Sequence, residues 1–215
     1  MRIHAALVLT LGLLLSAPVS AKDKEGAPKY PTIEMTGVKE FDGVFEKGKN
    51  IHDTLATAEN KLTEANKNLA TTLGVPETTS IDEMLGELKK KANNKITVAM
   101  EGGKPKIKAS DAVPEDVQKG IDAVNQMVDD LQASLDAMKD LPPQVQELIT
   151  SAKGFPSQLK PELLTANNLT AKEMPKVAKT MNSDIKAIVA TPDRIKGVTD
   201  ASLNIFQQIQ AACAG

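Results

Sequence analysis

This sequence of 215 residues contains almost no aromatic residues and a single cysteine. Aromatic side chains make up 2% of the chain, with no Trp and only one Tyr, at position 30. Proteins that recognise sugars or single-stranded nucleic acid by stacking depend on aromatic faces, so this mode of binding is disfavoured. The lone Cys213 excludes an internal disulfide framework. Stability must therefore come from the packing of aliphatic side chains.

Excess charge of either sign is also missing. The formal net charge is −2, from 26 basic and 28 acidic residues. A surface that binds nucleic acid phosphates needs a basic excess, so nucleic acid is not an expected partner. Hydrophobic residues nevertheless reach 41%, which is enough to build a core.

The N-terminus has the features of a secretory signal peptide. Arg2 precedes an apolar run over residues 5–15, and Val19-Ser20-Ala21 has the small residues that signal peptidase accepts. The run is shorter than the roughly 17–25 apolar residues of a membrane anchor. We therefore expect residues 1–21 to be a cleaved signal peptide and the protein to be exported, to the periplasm or outside the cell. Residues 22–36, which are charged and contain Gly and Pro, are predicted to form a flexible leader.

Helical periodicity dominates the rest of the chain, residues 37–215. Two long segments carry apolar residues at alternating steps of four and three, which predicts amphipathic helices with coiled-coil-like seams. The first seam contains Ile51, Leu55, Ala58, Leu62, Ala65 and Leu69, and the second contains Val117, Ile121, Val124, Val128, Leu131, Leu135 and Met138.

The limits of the helices are marked by residues that cap or break a helix. Gly74 and Pro76 end the first long helix, and Leu141-Pro142-Pro143 ends the second. Ser80 with Glu83, and Thr170 with Glu173, have the spacing of capping boxes. Near the C-terminus, Thr191-Pro192 is expected to end one helix and to begin another, with Thr191 as its cap. Ile195, Val198, Ile205 and Ile209 are expected to form the inward face of that last helix.

One segment departs from helical periodicity. Ile96, Val98 and Met100 alternate with small or polar residues, and Gly102-Gly103 has the composition of a tight turn. A β-hairpin is therefore predicted over about residues 95–109. Pro105 restricts its second strand to the edge of a sheet. Together these patterns predict an all-α fold in the main, an elongated antiparallel helical bundle with one small hairpin insertion.

Residues with catalytic or ligand-binding potential are few and scattered. His52 adjoins the first seam and is interpreted as a boundary histidine. Cys213 is interpreted as a small apolar residue at a helix end, with an intermolecular disulfide as the alternative. Lys89-Lys90-Lys91 complements a helix dipole, with binding to anionic lipid or nucleic acid as the alternative. Gly102-Gly103-Lys104 resembles a phosphate loop only faintly, because a strand follows it where a Walker-type loop leads into a helix. Three carboxylates, Asp129, Asp130 and Asp136, are expected on the solvent side of the second seam.

These patterns predict no catalytic, cofactor-binding or metal-binding residues, and hence no enzyme. The favoured hypothesis is an exported interaction or scaffold protein of the cell envelope. Its expected partner is another protein, or a second copy, bound through the helical seams. The alternative is a membrane-active bundle that lays its amphipathic helices on a lipid surface, with the hairpin as an insertion tip.

Overall fold

The computed structural model describes residues 31–213, with the side chain of Cys213 excluded, and it confirms a mostly helical bundle with a small hairpin. The predicted signal peptide and the first part of the predicted leader lie outside the described residues. The elements, in chain order, are α1 (Lys39–Leu73), α2 (Ile81–Lys91), β1 (Ile96–Glu101), β2 (Lys104–Ala109), α3 (Glu115–Met138), α4 (Leu141–Lys153), α5 (Phe155–Gln158), α6 (Pro161–Ala166), a 3-10 turn (Ala171–Glu173) and α7 (Met174–Cys213).

Helices begin and end largely where the local chemistry predicts. Gly74 takes a left-handed conformation (φ 71°) after α1, and its amide bonds back to the last turn. Both predicted capping boxes form, at Ser80 with Glu83 and at Thr170 with Glu173. Gly43 and Gly48 do not interrupt α1. Gly48 has a packing role, since a Cβ there would lie 3.1 Å from side-chain atoms of Ile33 and Ile188.

The core consists of two clusters arranged along the bundle. The first core cluster joins the start of α1 to α4, α5, α6 and the start of α7. The second core cluster joins the end of α1 to α2, the hairpin, the start of α3 and the end of α7. α1 and α7 therefore run in the same direction, and α3 runs antiparallel to both. The predicted seam residues are buried within these clusters, except Leu62 and Leu135, which are partly buried.

The predicted break at Thr191-Pro192 is wrong, because α7 is one helix of 40 residues with Pro192 inside it. Thr191 does not cap a helix. Its hydroxyl donates to the carbonyl of Ala187, one turn earlier, at 3.0 Å. An internal proline costs about 3 kcal/mol. Ile188 and Ile195 are buried on either side of it, and each such side chain contributes roughly 1.5–3 kcal/mol, so packing outweighs the cost.

The inward face predicted for the end of α7 is confirmed at Ile195, Val198 and Ile209, which are buried, whereas Ile205 is only partly buried. Ser202 and Phe206 are also buried.

The end of the predicted leader is not a free tail, since residues 31–36 lie against the first core cluster. Ile33 is buried, and the amide of Glu34 donates to Asp184 Oδ1 at 3.0 Å. Asp42 on α1 accepts from the amide and the hydroxyl of Thr36, each at 2.7 Å. These residues form a strap, Pro31–Thr36, that joins α1 to α7.

Candidate interaction site

The hairpin lies over the second core cluster with one face inward. Ile96 and Ile107 are buried at 4% and 1% exposure, while Thr97 and Lys106 on the opposite face are exposed. Gly102 and Gly103 form the turn with positive φ angles (60° and 83°), which a two-residue hairpin turn requires. The hairpin predicted from alternation is thereby confirmed, with strands one residue shorter at the start.

The outer edge of β2 is closed by a side chain from α3. The amide of Ile107 donates to Asn125 Oδ1 at 2.8 Å, and Asn125 Nδ2 donates to the carbonyl of Ile107 at 2.9 Å. Asn125 thus makes the pair of bonds that a neighbouring strand would make. Pro105 and the lysines of β2 protect the same edge, as such residues do in natural sheets.

In the described part of the chain, the outer edge of β1 makes no backbone hydrogen bonds, and it is accessible at Val98 and Met100, whereas Ile96 is only 4% exposed. Ile107 directs its backbone groups to Asn125, so its partner Val98 belongs to a pair that makes no hydrogen bonds within the hairpin. Pairs with and without hydrogen bonds alternate along an antiparallel ladder, so Ile96 and Met100 also belong to pairs that make no hydrogen bonds within the hairpin. Within residues 31–213, the backbone groups of these three residues have no hydrogen-bond partner. Their sequence, Ile96-Thr97-Val98-Ala99-Met100, carries no charge.

An exposed apolar side chain lies at this open edge. Met100 is 54% exposed, and Gln210 on α7 donates its side-chain amide to the Met100 sulfur at 2.9 Å. Met100 is thus one of four large exposed hydrophobic residues in the described part of the chain; the other three are Met35, Val189 and Leu203.

The solvent-facing side of the hairpin has an ion-pair network. Glu101 at the end of β1 contacts Lys106 at 3.3 Å and Lys108 at closer range. Hydrogen bonds from Lys108 and then Lys106 lower the pKa of Glu101. Lys104 reaches Asp129 on α3. The charges of β2 are thus paired inside the protein, and β1, which has no charged residue before Glu101, remains the unprotected strand.

A polar layer lies between α1 and α7, where the two core clusters meet. Arg194, 7% exposed, donates to both carboxylate oxygens of Glu59, from Nε at 2.8 Å and from Nη2 at 2.7 Å. His52 Nε2 lies 2.9 Å from the hydroxyl of Thr191. Burial, and secondarily the charge of Arg194, lower the pKa of His52, so this histidine is neutral at pH 7. The half-buried position agrees with a boundary histidine.

Asp184 is a second buried polar group, in contact with the strap. It is 0% exposed, and its Oδ2 has no hydrogen-bond partner within residues 31–213. Burial raises its pKa from 3.8 to about 6, although the hydrogen bond from the amide of Glu34 acts in the opposite direction. A carboxyl group with such a pKa is protonated in mildly acidic solution.

An open groove of about 440 Å³ lies between α1 and α4. Its apolar lining includes Val44, Ile51, Leu141 and Leu148, and polar side chains such as Lys47 and Glu147 surround them. His52 faces α7 at Thr191 and is not among the lining residues.

The other residues singled out in the sequence have structural partners. Lys91 Nζ donates to the carbonyl of Leu73, the last residue of α1, at 3.0 Å, and Lys89 donates to Ala212 near the end of α7 at 3.3 Å. These lysines thus donate hydrogen bonds to carbonyl groups at the C-termini of α1 and α7, in addition to complementing the dipole of α2. Cys213 is the last residue of α7, and its intermolecular disulfide stays a prediction.

The three carboxylates expected on the solvent side of α3 do not form a site. Asp129 and Asp136 are exposed and Asp130 is half-buried; Gln126 donates to Asp130, and Gln132 donates to Asp136. In the described part of the chain no cluster of three or more His, Cys, Asp or Glu residues could hold a metal ion.

Sequence patterns missed the two features that define the candidate site, the Asn125 clamp and the open edge of β1. Pro105 was a signal in the sequence for the open edge of β1. A proline fits only where no ladder hydrogen bond is needed, so Met100, its partner, directs its backbone groups outward from the hairpin. By alternation along the strand, Val98 and Ile96 do the same.

Within residues 31–213, none of the helices combines the length and apolarity needed to span a bilayer. Comparison with protein-family models, curated proteins and solved structures finds no match.

Proposed function

We propose that this chain is an exported, non-enzymatic interaction or scaffold protein of the cell envelope, and that the hairpin is its binding element. The observation that carries the proposal is the difference between the two hairpin edges. Asn125, Pro105 and three lysines protect β2, whereas β1 has unpaired backbone groups along a stretch with no charged residue before Glu101. An unprotected edge is a template for strand addition, in which main-chain hydrogen bonds hold an extended partner segment.

This proposal moves the binding surface from the helical seams to the hairpin. The seam residues lie in the two core clusters, where they pack against other helices of the same chain. A partner could use them only if the bundle opened. Export, for which the predicted signal peptide is the support, would bring the hairpin into contact with envelope proteins.

The alternative function, a membrane-active bundle, would use an apolar face laid on lipid. The four exposed large hydrophobic residues of the described chain, Met35, Met100, Val189 and Leu203, do not form a helical stripe. Flotation of the purified protein with anionic and neutral liposomes distinguishes the two functions. A protein-binding hairpin predicts that the chain stays in the soluble fraction, whereas flotation that persists at high salt would favour membrane insertion.

Site-specific photo-crosslinking in intact cells tests the protein-binding function. A photoreactive residue replaces Thr97 on β1, and the control carries it at Thr63, an exposed position of α1. We expect crosslinked adducts in the envelope fraction from position 97 and none from position 63. The same adducts from both positions, or no adduct from position 97, would contradict the proposal.

A further inference from the structure

The residue order of β1 is self-complementary when two copies run antiparallel. We propose that the open edge of β1 binds β1 of a second copy of this chain, with Val98 on the two-fold axis, to form a four-stranded intermolecular sheet. The inference rests on the proposed function, because it names the occupant of the same edge. A C2 interface uses one surface patch on both subunits, and this strand meets that condition.

The hydrogen-bonding groups of the two copies match in this register. Ile96, Val98 and Met100 each direct the backbone N–H and C=O outward from the hairpin. Pairing about Val98 opposes Val98 to the partner's Val98, and Ile96 to the partner's Met100. Each of these pairs exchanges both backbone hydrogen bonds, which is the pattern of alternate pairs in an antiparallel ladder. The unpaired backbone groups of Val98 and Met100 then have partners, whereas those of Ile96, which is 4% exposed in the single chain, must first become accessible.

The side chains match in the same register. On the solvent-facing side, Lys95 lies opposite the partner's Glu101, and Thr97 lies opposite the partner's Ala99. On the inward side, Met100 lies beside the partner's Ile96, which covers part of a side chain that is 54% exposed in the single chain. Cross-strand pairs of opposite charge and of apolar residues stabilise a sheet.

Charge excludes the parallel arrangement. In parallel register Lys95 would lie beside the partner's Lys95, and Glu101 beside the partner's Glu101, which destabilises the pairing. In the antiparallel register both ends bring together opposite charges. Lys95 and Glu101 are 48% and 40% exposed, and their present partners, Asp111 at 3.6 Å and Lys106 at 3.3 Å, are also exposed. Such surface pairs exchange readily, so they set the register more than the affinity.

Disulfide capture tests the register. In a Cys213→Ser background, Val98→Cys places two thiols across the two-fold axis, at a Cα separation of about 5.5 Å that allows a disulfide. The control, Ala109→Cys on β2, would be three strand spacings across and four residues along the strands from its copy, roughly 20 Å apart. We expect oxidation to give a covalent dimer from Val98→Cys and a monomer from Ala109→Cys. A monomer from both, or equal crosslinking of both, would overturn the register.

Sedimentation velocity over a range of concentrations tests the affinity. The protein should show a monomer–dimer equilibrium, and Thr97→Lys/Ala99→Lys should raise its dissociation constant about tenfold or more, because each new lysine would oppose another. Thr63→Lys/Thr72→Lys adds the same charge at two exposed positions of α1 and should leave the equilibrium unchanged. The hairpin keeps its ladder bonds in both variants, and circular dichroism checks their folding.

A protein that stays monomeric at every concentration overturns the inference, as does a dimer that the β1 lysines leave intact. Failure of this inference is distinguishable from failure of the proposed function. If the purified chain is monomeric but position 97 still crosslinks to a different envelope protein, the edge is a binding site and only its occupant is wrong. If position 97 gives no adduct at all, the function itself fails.

Discussion

The ion pair between Arg194 and Glu59 gives the sharpest test of how the bundle is held together. Its two charge-assisted hydrogen bonds measure 2.8 Å and 2.7 Å, and the side-chain exposures are 6% for Arg194 and 22% for Glu59. The change to make is Glu59→Gln, which keeps the shape of the side chain and removes its charge. The guanidinium of Arg194 then stays buried and loses its ion pair with Glu59.

The expected loss is about 3 kcal/mol, the lower part of the range of roughly 3–5 kcal/mol for breaking a buried pair, because Glu59 is partly exposed and water can approach. The reverse change, Arg194→Met, leaves the more exposed partner and should cost only about 1–2 kcal/mol. The double variant Glu59→Leu/Arg194→Met leaves no unpaired charge and should lie within about 1 kcal/mol of the original protein.

Urea denaturation followed by circular dichroism gives the free energies of unfolding. The control is Glu115→Gln, which removes an exposed i,i+4 pair with Lys119 (side-chain exposures 84% and 66%) and should cost at most about 0.5 kcal/mol. The reasoning is refuted if Glu59→Gln costs no more than this control. It is refuted equally if the double variant is as unstable as Glu59→Gln alone, since the loss would then come from packing and not from an unpaired charge.

Four further substitutions have expected outcomes. Asn125→Ala should destabilise the protein by about 2 kcal/mol through two lost hydrogen bonds, and hydrogen exchange should show faster exchange at Ile107. Because the folded-state pKa of Asp184 is raised from 3.8 to about 6, its contribution to stability is present below pH 3.8 and is lost as the pH rises through about 6. Asp184→Asn should remove that dependence, worth up to about 3 kcal/mol, in a series of denaturation curves against pH. Gly197→Ala, with nothing within 4 Å of the new Cβ, should stabilise by about 0.5–1 kcal/mol; Gly120→Ala, whose Cβ would lie 2.7 Å from Leu88, should destabilise by about 1 kcal/mol in thermal melts.

Local patterns predicted the helices and the hairpin well because their information lies within a few residues. Apolar spacing, Gly74 and the two capping boxes act over one or two helical turns. The error at Pro192 arose because the proline, which usually ends a helix, was given more weight than the heptad spacing of the apolar residues around it. Ile188 and Ile195 are seven residues apart, so the heptad continues through the proline without a shift. That spacing predicts one continuous helix.

The candidate site was harder to predict because its contacts join distant parts of the chain. Asn125 contacts Ile107 from another element, and Glu59 and Arg194 are 135 residues apart. Similarly, Asn167 accepts from the amide of Lys39 at 3.0 Å and so caps α1 from a remote loop. Pairs of this kind leave no periodic signal in a single sequence. A polar residue on an otherwise apolar face, as Arg194 is, shows only that some partner exists.

The shared direction of α1 and α7 places the hairpin at a fixed distance from the point where the chain enters the bundle. The strap lies at the first core cluster, the hairpin lies at the second, and the 35 residues of α1 connect them. At 1.5 Å per residue this helix is about 50 Å long. A tether attached ahead of Pro31 would hold the β1 edge about 50 Å away from its anchoring surface. A fusion at the C-terminus would instead follow Cys213 at the hairpin end, so a tag for the binding experiments belongs at the N-terminus.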